Sequence, residues 1–219
     1  MIEQDFKKYF IEFLGSAILL ATVIGSGIMG EMLSHGNDAI ALLANTIATG
    51  AILYVLITMF GAISGAHFNP AVSLVFLIKR EIGFNIFILY VVAQVLGGLL
   101  GMLIAHFMFD INLIQYSSKI RSGPSLWFSE FIAAFGLILT ILFTIKENIK
   151  SVAISVGLYI TAAYWFTAST SFANPAVTIA RTFTDTFSGI HYSGTVYFII
   201  AQCFGALLAL IIYNAIYKK

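Results

Sequence analysis

The stretch Ser64-Gly65-Ala66-His67-Phe68-Asn69-Pro70-Ala71-Val72 contains the tripeptide Asn-Pro-Ala, which recurs at Asn174-Pro175-Ala176. The two copies use two of the three prolines in the 219-residue chain. Asn is a preferred helix N-cap, and Pro is favoured at the first helical position, where its missing N–H costs nothing. Each copy therefore predicts the start of a short helix, over residues 69–79 and 174–184. At 1.5 Å per residue the first is about 15 Å long, half of a hydrocarbon core of about 30 Å, so neither helix crosses a bilayer alone.

The composition indicates that the solvent of this chain is lipid. Its residues are 60% hydrophobic and 10% charged, and its mean hydropathy is +0.97. These values exclude a soluble globule and a disordered chain, and the absence of any basic run longer than two residues excludes nucleic-acid binding. Long stretches rich in Leu, Ile, Ala and Gly favour helices over a β-barrel. The six predicted spans are Phe10–Met29, Ala39–Phe60, Ile86–Met108, Leu126–Ile145, Val152–Thr167 and Thr195–Tyr217, of which the fifth is the shortest.

The basic residues predict the orientation of the spans. With the N-terminus inside, the inner segments carry eight Lys and Arg residues and the outer segments three. Because short cytoplasmic loops are enriched in Lys and Arg, we expect a multi-pass protein of the cell membrane with both termini cytoplasmic. The inner residues are Lys7, Lys8, Lys79, Arg80, Lys146, Lys150, Lys218 and Lys219, and the outer ones Lys119, Arg121 and Arg181.

Further motifs recur together with the Asn-Pro-Ala pair. Phe10-Ile11-Glu12-Phe13 matches Phe128-Ser129-Glu130-Phe131, and Ala93-Gln94-x-x-Gly97 matches Ala201-Gln202-x-x-Gly205. All of the motifs appear in the same order at offsets of 105 to 118 residues. Such self-similarity indicates an internal duplication.

The duplication predicts two inverted repeats, residues 1–116 and 117–219, that form one membrane domain. Each repeat holds three spans and one half-helix, so an odd number of crossings turns the second repeat upside down relative to the first. The half-helices then enter from opposite faces and meet N-terminus to N-terminus at the bilayer centre. We therefore expect an all-α membrane protein of six transmembrane helices and two re-entrant half-helices, with its special site at the midplane.

These motifs, taken in register, resemble the aquaporin family of major intrinsic proteins over essentially the whole chain. The resemblance implies a homotetramer with one pore in each subunit, embedded in the lipid bilayer. It implies a passive channel for water and small uncharged solutes that excludes protons and ions, and no enzymatic activity. Neither a cofactor nor a metal is implied, and the lone cysteine, Cys203, permits no internal disulfide.

The predicted meeting of two helix N-termini has an electrostatic consequence. Each terminus carries about half a positive charge. At an effective dielectric constant of about 20 and a distance of about 5 Å, the pair opposes a cation by about 3 kcal/mol. The side-chain oxygens of Asn69 and Asn174 can cap their own helices, which leaves their amide N–H groups free to donate into the pore.

The segments before the two caps are predicted to be non-helical. At this depth such backbone is tolerated only where it is buried in protein or lines a wet cavity. A carboxylate within a span also needs donors, and Glu12 and Glu130 occupy matching positions, so we expect each to bind the backbone N–H groups of its own repeat's segment. The expected pore-lining backbone is Gly65, Ala66 and His67 in the first segment, and Ser171, Phe172 and Ala173 in the second.

The residue after the second Asn-Pro-Ala distinguishes this chain from most of the family, which has arginine there. Here it is Val177. By the resemblance, Thr49 and Ser171 occupy two other positions of the selectivity filter. The fourth is assigned to Tyr164, in preference to Ala162 or Ala163. A filter of Thr, Ser and Val is wider than a strict water pore, and glycerol and uncharged arsenic or antimony acids are candidate solutes.

Arg181 has two possible roles. It lies four residues after Val177, hence on the same helix face one turn on, and helical side chains lean toward the N-terminus. Its guanidinium can reach back into the pore and complete the filter. Alternatively it pairs with Asp185 at i+4 on the surface. The sequence leaves both open.

A proton-coupled small-solute carrier is the alternative function. It is motivated by the intramembrane ionisable residues Glu12, Glu130 and His67 within an inverted repeat. His67 has no second His, Cys or carboxylate at ligand spacing, so no metal site is predicted there. An enzyme is not expected, because no nucleophile–base pair accompanies the repeat.

Overall fold

The computed structural model of the protein describes the backbone of residues 2–217 and the side chains of residues 6–217. Lys218 and Lys219, which the sequence assigns to the inner face, lie outside the described residues. Within residues 2–217 all regular structure is helical. The α-helices are α1 (Ile2–Leu33), α2 (Asp38–Ser64), α3 (Pro70–Ile78), α4 (Phe84–Met108), α5 (Pro124–Asn148), α6 (Val152–Phe166), α7 (Pro175–Ala180) and α8 (Tyr192–Tyr217), with 3₁₀ turns at Ile149–Ser151 and Arg181–Phe183.

Five helical stretches of the described chain are long and apolar enough to cross a membrane. Four of them lie in α1, α2, α4 and α8. The fifth, Pro124–Phe166, has 43 residues, which would extend about 65 Å, twice the thickness of a bilayer. The 3₁₀ turn divides it into α5 and the 15-residue α6, and these two helices pack against each other. The expected all-α membrane protein is confirmed, and its fifth span is indeed the shortest.

The half-helices differ in length. The first, α3, runs from Pro70 to Ile78, close to the predicted 69–79. The second, α7, ends at Ala180, and the chain tightens into a 3₁₀ turn at Arg181–Phe183 before it becomes extended at Thr184. The predicted 174–184 is therefore α-helical only over its first two turns. Such tightening of a last turn is a common way to satisfy the carbonyls of a helix end.

Two helix pairs, α1 with α4 and α5 with α8, make the closest backbone contacts at glycines. A Cβ added to Gly97 would collide with the carbonyl oxygen of Phe13 across the first pair. A Cβ added to Gly205 would collide in the same way with the carbonyl oxygen of Phe131 across the second. Small residues allow helices in membranes to approach this closely.

The element order of α1–α4, which is span, span, half-helix, span, is repeated by α5–α8. The predicted boundary between residues 116 and 117 falls in the irregular segment that joins α4 to α5. A division into two repeats would account for this order. The division itself remains a prediction.

The glycine contacts generate a test of stability. We expect Gly97→Ala to lower the melting temperature of the detergent-solubilised protein strongly, because the new methyl meets backbone rather than a movable side chain. Gly61→Ala is the matched control, since a Cβ at Gly61 has no neighbour within 4 Å. The control should be neutral or slightly stabilising, because Ala exceeds Gly in helix propensity by about 1 kcal/mol. Equal melting temperatures for the two variants would contradict the packing described.

Candidate functional site

A cavity lies between the two half-helices and the long helices that surround them. It holds about 100 Å³ of space for the centres of water molecules, which is room for about seven to ten waters at about 10–15 Å³ each. Among residues 6–217, no Asp or Glu lines it. Its volume therefore suits a few small molecules without a charged partner for cations.

One wall of the cavity is largely apolar. Its side chains recur at intervals of four residues, and hence lie on one face of each helix. The lining residues are Thr49, Leu53 and Ile57 on α2, Leu137, Ile141 and Ile145 on α5, and Val152, Val156, Ile160 and Tyr164 on α6. The opposite wall is formed by the two re-entrant segments, residues 65–69 and 171–174.

Both asparagines of the Asn-Pro-Ala motifs cap the half-helix that follows them. The side-chain oxygen of Asn69 accepts from the N–H of Ala71 at 2.9 Å. That of Asn174 accepts from the N–H of Ala176 at 2.9 Å and from Val177 at 3.3 Å. Each proline occupies the first turn of its helix, as the sequence predicts.

Each of these asparagines also binds the other re-entrant segment. The Nδ2 of Asn69 donates to the carbonyl of Ala173 at 2.8 Å, and the Nδ2 of Asn174 donates to the carbonyl of Phe68 at 2.8 Å. The expectation that both amide hydrogens are free was wrong for one hydrogen of each side chain. The reason is that these carbonyls, buried away from water, need a donor. One N–H of each amide remains for a molecule in the cavity, which both asparagines line.

The re-entrant segments have an unusual backbone. Ala66 and Phe68 have φ values of 49° and 47°, and Ser171 and Ala173 have 49° and 48°. Positive φ is uncommon for residues other than glycine and costs conformational energy. The two pairs are 105 residues apart in the chain, so the same strained conformation occurs in both segments.

Glu12 holds the first segment. Its Oε1 accepts from the N–H of His67 at 3.0 Å and from the hydroxyl of Ser64 at 2.6 Å. Its Oε2 accepts from the N–H of Phe68 at 2.6 Å and from the side-chain amide of Gln94 at 2.8 Å. Glu12 is fully buried and does not line the cavity. Its four hydrogen bonds satisfy the carboxylate within the membrane domain.

Glu130 holds the second segment in the same way. Its Oε1 accepts from the N–H of Phe172 at 2.9 Å, and its Oε2 from the N–H of Ala173 at 2.8 Å. Gln202 adds a donor at 2.6 Å and also donates to the hydroxyl of Thr178 at 2.9 Å. Glu130 is likewise fully buried and does not line the cavity. Both acids thus have the geometry expected of anchors for the segments.

The four residues assigned to the filter, Thr49, Tyr164, Ser171 and Val177, all line the cavity, and so does Arg181, whose role the sequence left open. The hydroxyls of Thr49 and Tyr164 are 3.3 Å apart, so these two side chains lie at the same level. Of the three candidates on α6, only Tyr164 is a lining residue.

Arg181 lies at the cavity rather than in an ion pair. Its side chain is only 1% exposed, and its guanidinium carbon is 3.3 Å from the ring centroid of Phe172. Its Nε donates to the carbonyl of Ser188, whereas its Nη1 has no hydrogen-bond partner among the described residues. Of the two roles that the sequence leaves open, the contact with Asp185 is not formed.

Asp185 is bound elsewhere. Its Oδ1 accepts from the backbone N–H and from the hydroxyl of Ser118, each at 2.8 Å. These hydrogen bonds lower the pKa of the exposed Asp185 carboxyl. The partner that the i+4 spacing suggested for Arg181 is thus engaged with the segment before α5.

A second guanidinium, which sequence reasoning did not single out, lies over the same ring. Arg121 comes from the irregular segment before α5, and its guanidinium carbon is 5.6 Å from the Phe172 centroid. It donates to the carbonyls of Gly189 at 2.9 Å and Phe187 at 3.2 Å. No sequence motif marks Arg121, because its contacts are made with residues more than sixty positions away.

His67 lies on the polar wall. Its Nδ1 is 3.0 Å from the hydroxyl of Ser73, and its ring centroid is 4.6 Å from that of Phe76. Among residues 6–217 no group of three His, Cys, Asp or Glu side chains is arranged to hold a metal ion. His67 is therefore a structural residue of the cavity wall.

Known proteins resemble this chain in sequence and in fold. The family model described as major intrinsic protein matches residues 2–150 and 144–219. The aquaglyceroporin AqpS of Rhizobium meliloti (strain 1021) is 55% identical over 204 residues, which cover 93% of this chain and 87% of AqpS. Nodulin-26 of Glycine max is 27% identical over 99% of this chain and 77% of its own length.

A solved structure has the same fold. The X-ray structure of the aquaglyceroporin from Plasmodium falciparum matches with a TM-score of 0.80 over 98% of this chain and 97% of that one, at 22% sequence identity. The family model and the AqpS relationship together cover nearly all of the sequence. The chain therefore belongs to the major intrinsic protein family.

Proposed function

We propose that the cavity is the conduction path of a passive membrane channel for water and small neutral solutes. The observation that carries this proposal is the pair of hydrogen bonds between Asn69 and Ala173 and between Asn174 and Phe68. These bonds hold the N-termini of α3 and α7 together at the wall of one cavity. Each asparagine keeps one N–H that a passing oxygen can accept.

The two helix N-termini explain why cations are rejected. Together they contribute about one unit of positive charge, which opposes a cation by about 3 kcal/mol at an effective dielectric constant of about 20 and a distance of about 5 Å. No carboxylate lines the cavity to offset this potential. A water that accepts from both asparagines cannot at the same time relay a proton, so we include protons among the excluded ions.

The filter residues favour solutes larger than water. Val177 leaves the space that an arginine would fill next to the second Asn-Pro-Ala, and the guanidinium of Arg181 comes from one turn further on. The 55% identical relative is called an aquaglyceroporin. Glycerol-like molecules and uncharged metalloid acids are therefore the proposed solutes besides water.

A proton-coupled carrier lacks support in the geometry. Each of its two candidate carboxylates, Glu12 and Glu130, is occupied by backbone N–H groups and a glutamine amide, and neither lines the cavity. His67 has its Nδ1 beside Ser73 and its ring against Phe76. The chain is a channel and not an enzyme.

The proposal extends to membrane orientation and assembly. The excess of Lys and Arg in the segments predicted to be internal supports a cell-membrane protein with cytoplasmic termini. The family resemblance supports a homotetramer with one pore per subunit. Two inverted repeats, 1–116 and 117–219, account for the paired glutamates, asparagines and glycines at matching positions.

Proteoliposomes test the proposed class of transport. We expect purified protein to conduct water, glycerol, urea or arsenous acid in stopped-flow measurements without an ionic current in planar bilayers. Fluxes should rise linearly with concentration and ignore a pH gradient, whereas a carrier saturates and responds to one. A reproducible single-channel cation current from the wild-type protein would contradict the proposal.

Asn174→Asp tests the electrostatic barrier. The substitution keeps an oxygen that can cap α7 and places a negative charge where the two positive helix ends meet, so cation leakage should become measurable while water flux persists. The substitution also removes the donor to the carbonyl of Phe68, which could disturb the fold. The water flux therefore serves as the check that the variant is folded. A folded, water-permeable Asn174→Asp protein with unchanged cation exclusion would argue against the electrostatic account.

Arg181→Ala tests the filter. Because the guanidinium lines the cavity, its removal should raise the ratio of glycerol to water permeability several-fold. Val177→Arg should instead reduce both fluxes, since it crowds a second cation into the same space. Arg80→Ala, which removes an exposed arginine away from the cavity, is the control. An unchanged ratio of glycerol to water permeability in a folded Arg181→Ala protein would show that Arg181 is not part of the filter.

A further inference from the structure

The buried guanidinium of Arg181 and the half-buried guanidinium of Arg121 lie beside Phe172, and neither is ion-paired with a carboxylate of the described residues. Those of Arg121 and Arg181 lie 5.6 Å and 3.3 Å from the ring centroid. Among the described side chains, the ion pairs are Lys79–Glu81 and Lys119–Glu31, and neither arginine takes part in one. Buried Glu130 partly offsets the charge of both guanidiniums without forming an ion pair, so the two arginines keep a net positive charge that favours the binding of an anion.

One of these guanidiniums has a donor left over. Arg181 is 1% exposed and lines the cavity, and its Nη1 has no partner among the described residues. The hydroxyl of Ser171, which is 2% exposed and lines the same cavity, has no partner either. Buried donors are usually satisfied. Both groups are therefore free to bind a ligand that enters the cavity.

The filter hydroxyls belong to the same cavity as Arg181. Thr49, Tyr164 and Ser171 all line it, and the hydroxyls of Thr49 and Tyr164 are 3.3 Å apart. This part of the cavity therefore offers a cation and several hydroxyls to a ligand. We call it the arginine mouth, defined by Arg181, Ser171, Thr49 and Tyr164.

We propose that the arginine mouth binds a small planar monovalent oxyanion, which blocks the passage of neutral solutes while it is bound. Arg181 Nη1 and the Ser171 hydroxyl are its hydrogen-bond donors, and Arg121 adds positive charge from beside Phe172. A planar guanidinium matches the geometry of carboxylates and related planar oxyanions. The blocking effect rests on the proposed function, because it requires solutes to pass through this cavity.

The neighbouring carboxylates leave the unpartnered Nη1 of Arg181 free. Glu130 offsets part of the arginine charge through space, but its oxygens accept from the N–H groups of Phe172 and Ala173 and it does not line the cavity. Asp185 is held by Ser118. The positive charge at the mouth thus stays available to a ligand.

The apolar wall explains why the anion is held and not conducted. Beyond Thr49 and Tyr164 the stripes continue with Leu53 and Ile57 on α2 and with Ile160 on α6. An anion that moves past the mouth leaves the guanidiniums and loses hydration against these side chains, and the partial charges of the helix N-termini offset this cost only in part. Neutral solutes have no charge to desolvate, so they can pass these side chains. The anion remains at the mouth and obstructs them.

Nitrate is the probe, because it is planar and monovalent and has no neutral form near neutral pH. Sodium nitrate is compared with sodium gluconate at equal ionic strength, on detergent-solubilised protein for the melting temperature and on proteoliposomes for glycerol flux. In the wild type we expect nitrate to raise the melting temperature, as any ligand of the folded state does, and to slow glycerol flux about two- to threefold. Both effects should disappear in Arg181→Ala.

Lys119→Ala is the matched control, because it removes a positive charge that is bound to Glu31 and does not line the cavity. It should respond to nitrate as the wild type does. Arg181→Lys is a second variant, which keeps the charge but loses the planar fork, and both nitrate effects should be weakened in it. If Arg181→Ala does not fold, the nitrate response of Arg181→Lys tests the anion site instead.

The outcomes separate the two proposals. A nitrate-dependent rise in melting temperature that requires Arg181, without slower glycerol flux, would support the anion site and contradict conduction through this cavity. Altered glycerol permeability in Arg181→Ala, without any effect of nitrate on the wild type, would support the conduction path and overturn the anion site. Equal nitrate effects in wild type and Arg181→Ala would also overturn it.

Discussion

The hydrogen bonds that the re-entrant backbone donates to Glu12 and Glu130 are the interactions on which the rest of this structure depends. Non-helical backbone within a bilayer leaves polar groups that no lipid can satisfy, and each costs several kcal/mol if it is left unpaired. Two N–H groups in each segment find their acceptor in a buried carboxylate. Once these segments are fixed, α3 and α7 start at a defined depth and a polar wall faces the apolar stripes of the long helices. The cavity, its donors and its positive centre all follow from that placement.

The two asparagines meet three demands at once. Each caps its own half-helix, ties down the opposite segment through a carbonyl and keeps one N–H for the cavity. The carbonyls involved belong to Phe68 and Ala173, which have positive φ values. The strained backbone and the hydrogen bond between the two segments therefore occur at the same residues, and the side-chain amide offsets part of the conformational cost. Asp could supply the cap but not the donor, which explains why an amide side chain suits this position.

Much of this arrangement could be predicted from the sequence, because its elements are local or repeated. The Asn-Pro starts of α3 and α7, the paired glutamates and the close-packing glycines each carry a signal within a few residues. The contacts that position Arg121 and Arg181 carry no such signal. Arg121 binds the carbonyls of Phe187 and Gly189, from which α5, α6 and α7 separate it in the chain. The i+4 spacing suggested an Arg181–Asp185 pair, but Asp185 instead accepts from Ser118. The second bond of each asparagine was missed for a similar reason, since it depends on the partner segment's carbonyl.

The central claim is that solutes pass between the polar segments and the apolar stripes. Cysteine blocking tests it most directly, in a Cys203→Ala background that removes the only cysteine of the chain. Ile160→Cys places a thiol in the cavity wall, and Leu158→Cys places one on the same helix with the native side chain 62% exposed on the outer surface. After a small methanethiosulfonate reagent has labelled both, as mass spectrometry verifies, we expect water and glycerol flux to be lost only in Ile160→Cys and to return upon reduction. Full flux through labelled Ile160→Cys, or an equal loss in labelled Leu158→Cys, would contradict the account.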